Sequence, residues 1–427
     1  MPAAEDDQTP LCDSEATALL APLNEFRLIA LAVSGGGDSM ALLHLYDRWR
    51  EACPTAPRAV VFTVDHGLRA EAAAEAEMVA RRCERLRIPH KTLRWQGPKP
   101  VSGIQEAARA ARYALMVRHM AALGAEALVL AHTRDDQAET FLDRLARGSG
   151  VYGLAAMAPR TQRDGVTLAR PLLDVSRARL RATLAAADLS WVDDPSNEDP
   201  HYRRVRMRRL MPVLAHEGLG PDRLAATARS MARAAAALDG WVDGVMAGEV
   251  VRHPAGPCRF DAALLRRLPE EVALRLVARL LRETGGGAHV PRLSRLEAAV
   301  AALEAGEGRR TLAGCVLERR GGEILLYREI GRCGLEELEL MPGECGIWDG
   351  RFAVSLSGDA SGGVKVGALG PGGLRRAGLP APEGWPRGVF AGAPAARREG
   401  EVLALPGFDL DPGERWRGRV VACRIGA

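Results

Sequence analysis

Arg27-Leu28-Ile29-Ala30-Leu31-Ala32-Val33-Ser34-Gly35-Gly36-Gly37-Asp38-Ser39 reads as a short buried strand running straight into a glycine turn. Beyond it, Met40, Ala41, Leu42, Leu43 and Leu45 recur at near-helical spacing, so the turn opens a helix. A strand, a glycine turn and a helix start together form an anion site. Glycine lets the backbone approach closely, and the first helical N–H groups have no partner inside the helix. Ser34, Ser39 and the amides at Gly35, Gly36 and Gly37 can donate to phosphate oxygens, whereas Asp38 cannot. A carboxylate beside phosphates calls for a divalent cation between them, which points to Mg²⁺ at Asp38. The same residues also fit a plain strand-to-helix connection with Asp38 as a helix cap.

Outward from this turn, strands alternate with helices. A leading helix is expected over 13–25, and a helix to about Arg50 follows the glycine turn. Ala59 to Asp65 is a second apolar strand ending in Asp65-His66-Gly67-Leu68-Arg69, and Glu71 to Leu86 is helical. His90 to Trp95 is a third strand, Ser102 to Leu123 a long helix, and Glu126 to His132 a fourth strand leading into a helix to about Arg147. This alternation predicts an α/β fold with a doubly wound parallel sheet. Ligands of such sheets sit outside the carboxyl ends of the strands. The turns at Ser34, at Asp65-His66 and at His132-Asp136 all fall there.

Composition narrows the class. The chain has 427 residues, enough for two or three domains, and its 47% hydrophobic and 26% charged content is that of a globular protein. No apolar run is long enough to span a bilayer, and the acidic start at Glu5-Asp6-Asp7 resembles neither a signal nor a transit peptide, so a cytoplasmic protein without a membrane partner is expected. A net charge of +4 leaves any nucleic-acid surface to local clustering. The only lysines, Lys91, Lys99 and Lys365, lie outside any G-x-x-x-x-G-K-[ST] loop, which excludes a Walker-type NTPase. The 8 cysteines contain no C-x-x-C pair, so neither a structural zinc nor an iron–sulfur framework is visible.

A second chemical cluster follows His132. Asp135, Asp136 and Glu139 place three carboxylates near a helix start, where they can hold a metal or simply complement the helix dipole. Arg109 and Arg112 share a helix face and suit a negatively charged transition state; a solvated face is the plainer reading. Arg177, Arg179 and Arg181 read as solvated surface. Arg203, Arg204, Arg206, Arg208 and Arg209 have no acid among them, and Arg204 and Arg208, four apart, would face phosphates together.

Val151 to Pro159 reads as a loop, and Ser176 caps a helix to Ala187. The arginine-rich helix is expected to end near Met211-Pro212. From about Gly218, helices over Asp222–Leu238, Glu270–Arg282 and Leu293–Ala305 dominate. Thr311 to Glu318, a Gly321-Gly322 turn and Glu323 to Tyr327 form an expected hairpin, and Arg351–Leu356 and Arg417–Arg424 further strands. Gly362 to Gly373 reads as a loop. The expected organisation is a catalytic domain over 1–217, a helical domain over 218–308 and a small β-rich domain over 309–427.

The hexapeptide Ser34-Gly35-Gly36-Gly37-Asp38-Ser39 resembles the SGGxDS loop of the N-type ATP pyrophosphatases, which have an adenine nucleotide α-hydrolase-like fold. Its companions resemble the tRNA(Ile)-lysidine synthetase family more narrowly: Asp65 to Arg69, Glu106 to Tyr113, Asp135 to Thr140, Arg147 to Gly150, Arg170-Pro171-Leu172-Leu173 and Trp191 to Asn197. The resemblance is strong over 27–212 and returns at Arg309-Arg310-Thr311-Leu312. Thr133 departs from it, standing where many members carry a second histidine.

The resemblance implies ATP and Mg²⁺ as cofactors, and a tRNA(Ile) with a CAU anticodon and free L-lysine as partners. The wobble cytidine is adenylated at its C2 oxygen, and lysine then displaces AMP. The implied binding residues for the nucleotide are Ser34, Gly35, Gly36, Gly37, Asp38, Ser39, Asp65 and His66, with Asp38 and Asp136 on the metal. Asp38, Asp136, Arg112 and Arg109 are the implied catalytic set; His132, Glu139, Arg204 and Arg208 face lysine or tRNA. A homodimer is compatible with the chain. The alternatives are a cytidine thiolase of the same loop type, which the absence of C-x-x-C disfavours, and a non-catalytic RNA-binding protein.

Overall fold

The computed structural model describes residues 8–67, 71–97, 104–163, 165–193, 203–287, 291–306, 308–408 and 419–425. Leu68, Arg69 and 194–200 lie outside the described residues, as do the side chains of Glu106 and Arg204. The chain divides into two compact units, Met1–Ala236 and Ala237–Ala427. Among the described residues no helix is long and apolar enough to cross a membrane.

The first unit runs α1 (Asp13–Leu20), β1 (Leu28–Ala32), α2 (Gly37–Ala52), β2 (Arg58–Asp65), α3 (Ala72–Leu86), β3 (His90–Arg94), α4 (Ile104–Leu123), β4 (Ala127–Val129) and α5 (Arg134–Leu145). It continues through α6 (Val151–Leu154), β5 (Arg160–Arg163), β6 (Val166–Ala169), α7 (Arg177–Ala186), α8 (Arg203–His216) and the start of α9 (Pro221–Gly248). The period-two pattern of the strands explains the layers. Ile29, Leu31, Val61, Ala127 and Val129 pack on one face with α2 and α7 residues such as Leu42, Leu45, Leu180 and Leu184. Ala30, Val60, Phe62 and Leu128 pack on the other with Tyr113, Met116 and Met120 of α4.

Strand order is β3-β2-β1-β4-β6-β5. All neighbours are parallel except β5, which pairs antiparallel with β6 at the edge. The chain proceeds from β1 to β2 and β3 on one side, then crosses to β4 on the other. The β1–β4 junction is therefore the topological switch point, where a crevice opens between the loops leaving the two strands. Those loops carry Ser34–Ser39 and His132–Asp136. The expected doubly wound sheet is present.

Several elements differ from expectation. The stretch read as a loop from Val151 contains α6, and the β5–β6 hairpin behind it adds two strands that polar residues such as Arg160, Gln162 and Arg163 disguised. Helix α8 continues past Pro212 to His216. Proline removes one helical hydrogen bond, but Met211 packs on the cluster around Phe141 and Leu224 and holds the helix across it.

The second unit contains the end of α9, then β7 (Val251–Arg252), β8 (Cys258–Asp261), α10 (Ala263–Arg267), α11 (Glu270–Gly285), α12 (Leu293–Ala305), β9 (Arg309–Leu312), β10 (Cys315–Arg320) and β11 (Glu323–Arg328). After these come β12 (Leu338–Leu340), β13 (Cys345–Trp348), β14 (Phe352–Leu356), β15 (Val364–Ala368), α13 (Gly373–Arg376), β16 (Pro394–Arg398), β17 (Glu401–Ala404) and β18 (Val420–Arg424). Helices α11 and α12 share a core with the sheet β7-β8-β11-β10-β9, so β8 joins a stretch expected to be helical to the later hairpin. Thr311–Glu318 is two strands, not one. Ala313 and Gly314, with φ of 50° and 72°, make a two-residue turn between Leu312 and Cys315. The glycine-rich stretch read as a loop contains β15, paired with β12 and β16.

Candidate active site

The Ser34 loop is closed by its own hydroxyls. Ser39 Oγ donates to the Gly36 carbonyl at 2.8 Å and accepts from the Ser34 amide at 3.1 Å, with Ser34 Oγ 3.3 Å away. The first amides of α2 are thereby held around one centre. Val192 N–H donates to the Gly35 carbonyl at 3.0 Å, and a Cβ on Gly37 would lie 3.3 Å from Trp191 Cδ1. Trp191-Val192 is thus laid against the loop, which explains why distant parts of the sequence pattern occur together. Gly35 has φ +93°, where a side chain is strained. Gly35→Ala is expected to cost about 1–2 kcal/mol. Equilibrium urea unfolding checks this, with a lowered midpoint and an unchanged slope.

Across the switch point, Thr133 caps α5. Its N–H donates to Asp136 Oδ2 at 2.8 Å and its hydroxyl accepts from the Asp136 amide at 3.3 Å. Thr133 is therefore the N-cap that aims Asp136. Gln137 is fixed in turn by paired bonds to the Met157 backbone, 2.7 and 2.8 Å.

Arg177, the first residue of α7, joins the two loops. Its Nε donates to Asp38 Oδ2 at 3.2 Å and its Nη2 to Asp136 Oδ1 at 2.9 Å, while Nη1 lies 3.6 Å from Glu139 Oε1. Its backbone N–H donates to Asp135 Oδ2 at 2.8 Å. Burial opposes charge on Arg177, but Asp136, Asp38 and Glu139 outweigh it and hold the guanidinium above its ordinary pKa. Burial raises the Asp38 carboxyl above its ordinary value, against the pull of Arg177. Asp38 Oδ1 is buried and has no hydrogen-bond partner among the described residues.

Among the described residues no group of three or more His, Cys, Asp and Glu forms a ready metal cage. Asp38 and Asp136 nevertheless fit Mg²⁺, which takes one or two carboxylates and completes its shell with water and phosphate. The orphaned Asp38 oxygen is the specific sign of that fit.

The other predicted residues divide. Arg112 donates through Nε and Nη2 to His66 Nε2, at 3.3 and 3.1 Å, and His66 meets Trp95 edge-on at 6.1 Å. Arg112 is thus anchored at the carboxyl end of β2. Arg109 instead lies over the Tyr113 ring at 5.7 Å. Asp65 accepts from the Gly67 amide at 2.8 Å and shapes the turn after β2. His132 is partly exposed, directly before the cap of α5.

Glu139 is 2% exposed and pairs with Arg208, whose Nε lies 2.8 Å from Oε1. Arg203 similarly meets Asp143 at 2.6 Å. Two of the clustered arginines therefore find anions on α5 itself. Behind Glu139 lies a cavity of about 240 Å³, lined by Asp135, Arg177 and Arg208 on its polar side and Met211, Pro212 and Ala215 on its apolar side.

A PP-loop domain model matches residues 9–214. The chain is 47% identical to the tRNA(Ile)-lysidine synthase of Bradyrhizobium sp. strain BTAi1 over 317 residues, covering 72% of this chain and 87% of that one. It is 45% identical to that of Bradyrhizobium diazoefficiens, covering 75% and 95%, and 40% identical to that of Ruegeria pomeroyi, covering 89% and 88%. The chain belongs to the tRNA(Ile)-lysidine synthase family.

For a lysidine synthase with a PP-loop domain, ATP use follows from the family. Two members of the site escaped sequence reasoning. Asp135 was grouped with the acids but gave no sign that it locks α7, and Arg177 was read as surface. A signal existed: Arg177 follows the N-cap Ser176 in a first turn with no acid, where a cation opposes the helix dipole and needs anions from elsewhere.

Proposed function

We propose that this lysidine synthase family member ligates free lysine to C2 of the wobble cytidine in a CAU-anticodon tRNA(Ile), through an adenylated cytidine, releasing pyrophosphate and AMP. The observation that carries this reading is the meeting of two sites at Arg177. On one side are the Ser34 loop, Asp38 and Asp136; on the other is the cavity behind Glu139.

The amides and hydroxyls of the Ser34 loop hold the pyrophosphate portion of ATP. Asp38 and Asp136 hold Mg²⁺, which when bound neutralises phosphate charge and orients the leaving pyrophosphate. Arg112, steadied by His66, balances charge that develops on the α-phosphate as the cytidine oxygen attacks. Arg109, over the Tyr113 ring on the same helix, adds a second cation for that charge.

Lysine needs a carboxylate for its α-ammonium, a cation for its carboxylate and an apolar wall for its methylenes. Glu139, Arg208 and the Met211–Pro212 wall supply these in one cavity. Arg208 accordingly moves, in this reading, from the tRNA face to the amino-acid pocket, leaving Arg204 with the tRNA.

The two half-reactions give the test. Enzyme, ATP, Mg²⁺ and CAU-anticodon tRNA(Ile) without lysine are expected to release pyrophosphate, with AMP following only when lysine is added. Release of AMP at the same rate with ornithine, or without any tRNA, would overturn the assignment.

A further inference from the structure

Three carboxylates, Asp38, Asp136 and Glu139, converge on the guanidinium of Arg177, and a fourth, Asp135, on its backbone amide. Like charges about 4 Å apart repel by about 4 kcal/mol at an effective dielectric of 20, so convergent carboxylates need a cation to hold them. Arg177 fills that role with a separate nitrogen for each: Nε for Asp38, Nη2 for Asp136 and Nη1 toward Glu139. Its placement does not rest on its side-chain ion pairs alone. Helix α7 packs on α2 through Leu180 and Leu184, Ser176 Oγ accepts from the Arg179 amide at 3.2 Å, and the Arg177 amide is tied to Asp135. Among the described residues Asp38 Oδ1 is buried without a donor, an acceptor Arg177 does not satisfy.

We propose that Arg177 is a positioning residue that acts as an internal counter-ion: it holds Asp38 and Asp136 converged in the cation-free enzyme and yields them to the divalent cation. The proposal rests on the adenylation reading of the same site. Arginine suits the task better than lysine, because its planar fork reaches several carboxylates at once. The cation site is thus built before nucleotide arrives, and its affinity is held down by the competitor already in place. That arrangement keeps the metal from binding tightly until the phosphates add their own charge.

The test uses Mn²⁺ alone as a paramagnetic probe, with full-length protein and no nucleotide, tRNA or lysine. Wild type, Arg177→Ala and Arg177→Lys are titrated by electron paramagnetic resonance and melted with and without Mn²⁺. Arg177→Ala is expected to bind Mn²⁺ about tenfold tighter than wild type, because a unit positive charge has left the site. It is also expected to melt lower without the cation and to recover most of that loss with it. Arg177→Lys, which keeps the charge but not the fork, is expected to fall between, and it supplies the comparison if the alanine variant does not fold. Equal or weaker Mn²⁺ binding in both variants overturns the proposal, as does a wild type that binds no Mn²⁺. Failure of the wild type to make lysidine, with the Mn²⁺ pattern intact, would refute the proposed reaction and leave this role of Arg177 standing.

Discussion

Asp38→Ala is expected to lower pyrophosphate release by at least about 10³-fold while leaving tRNA affinity within about twofold, because a charge-stabilising group is lost from the reacting centre and nothing from the RNA-binding surface. Asp38 is the only carboxylate in the stretch Ser34–Ser39, and its Oδ1 is buried without a donor among the described residues. Its loss leaves Arg177 with Asp136 and Glu139, so the junction of α5 and α7 keeps its ion pairs. The fold should therefore survive, and circular dichroism with a filter-binding assay separates the cases. A large fall in tRNA affinity with adenylation retained would contradict the role given to Asp38.

The second large effect belongs to Glu139. Glu139→Gln keeps the shape of the side chain but removes the anion that Arg208 meets at 2.8 Å. The kcat/KM for lysine is expected to fall by about 10²–10³-fold, which corresponds to loss of a charge-assisted hydrogen bond of about 3–4 kcal/mol. Stability is expected to fall too, by about 1–2 kcal/mol, because the buried carboxylate loses its charge toward Arg177 and the part-exposed Arg208. Pyrophosphate release without lysine should change little. Separate assays of the two half-reactions check this split, and equal losses in both would place Glu139 in adenylation instead.

How much of this was visible in the residues depends on the kind of signal. Apolar strands such as Leu28–Ala32 and Arg58–Asp65 are buried on both faces, so continuous hydrophobic runs announced them. Edge strand β5 reads Arg-Thr-Gln-Arg, with no apolar alternation at all, and was invisible for that reason. The turn at Ala313-Gly314 lacks the Asn or Asp that usually marks such a hairpin, so one strand was expected where the chain folds back.

The site shows the same division. Ser34 to Ser39, Asp136 and Glu139 carried their chemistry in local spacing. Arg177 carries it through contacts with residues between 38 and 139 positions away in sequence, and no local pattern reports those. Arg208 was recognised as a functional cation, but only the cavity beside Glu139 gave it an amino acid rather than a phosphate to face.

The central claim is that loop, acid pair and cavity serve one ligation on one nucleotide. Purified protein incubated with ATP, Mg²⁺, labelled lysine and CAU-anticodon tRNA(Ile), followed by digestion of the RNA and mass spectrometry of its nucleosides, tests it directly. The account predicts one labelled lysine on the wobble cytidine for each AMP and each pyrophosphate released. AMP without labelled nucleoside, or a cytidine modified with no lysine in it, would contradict it.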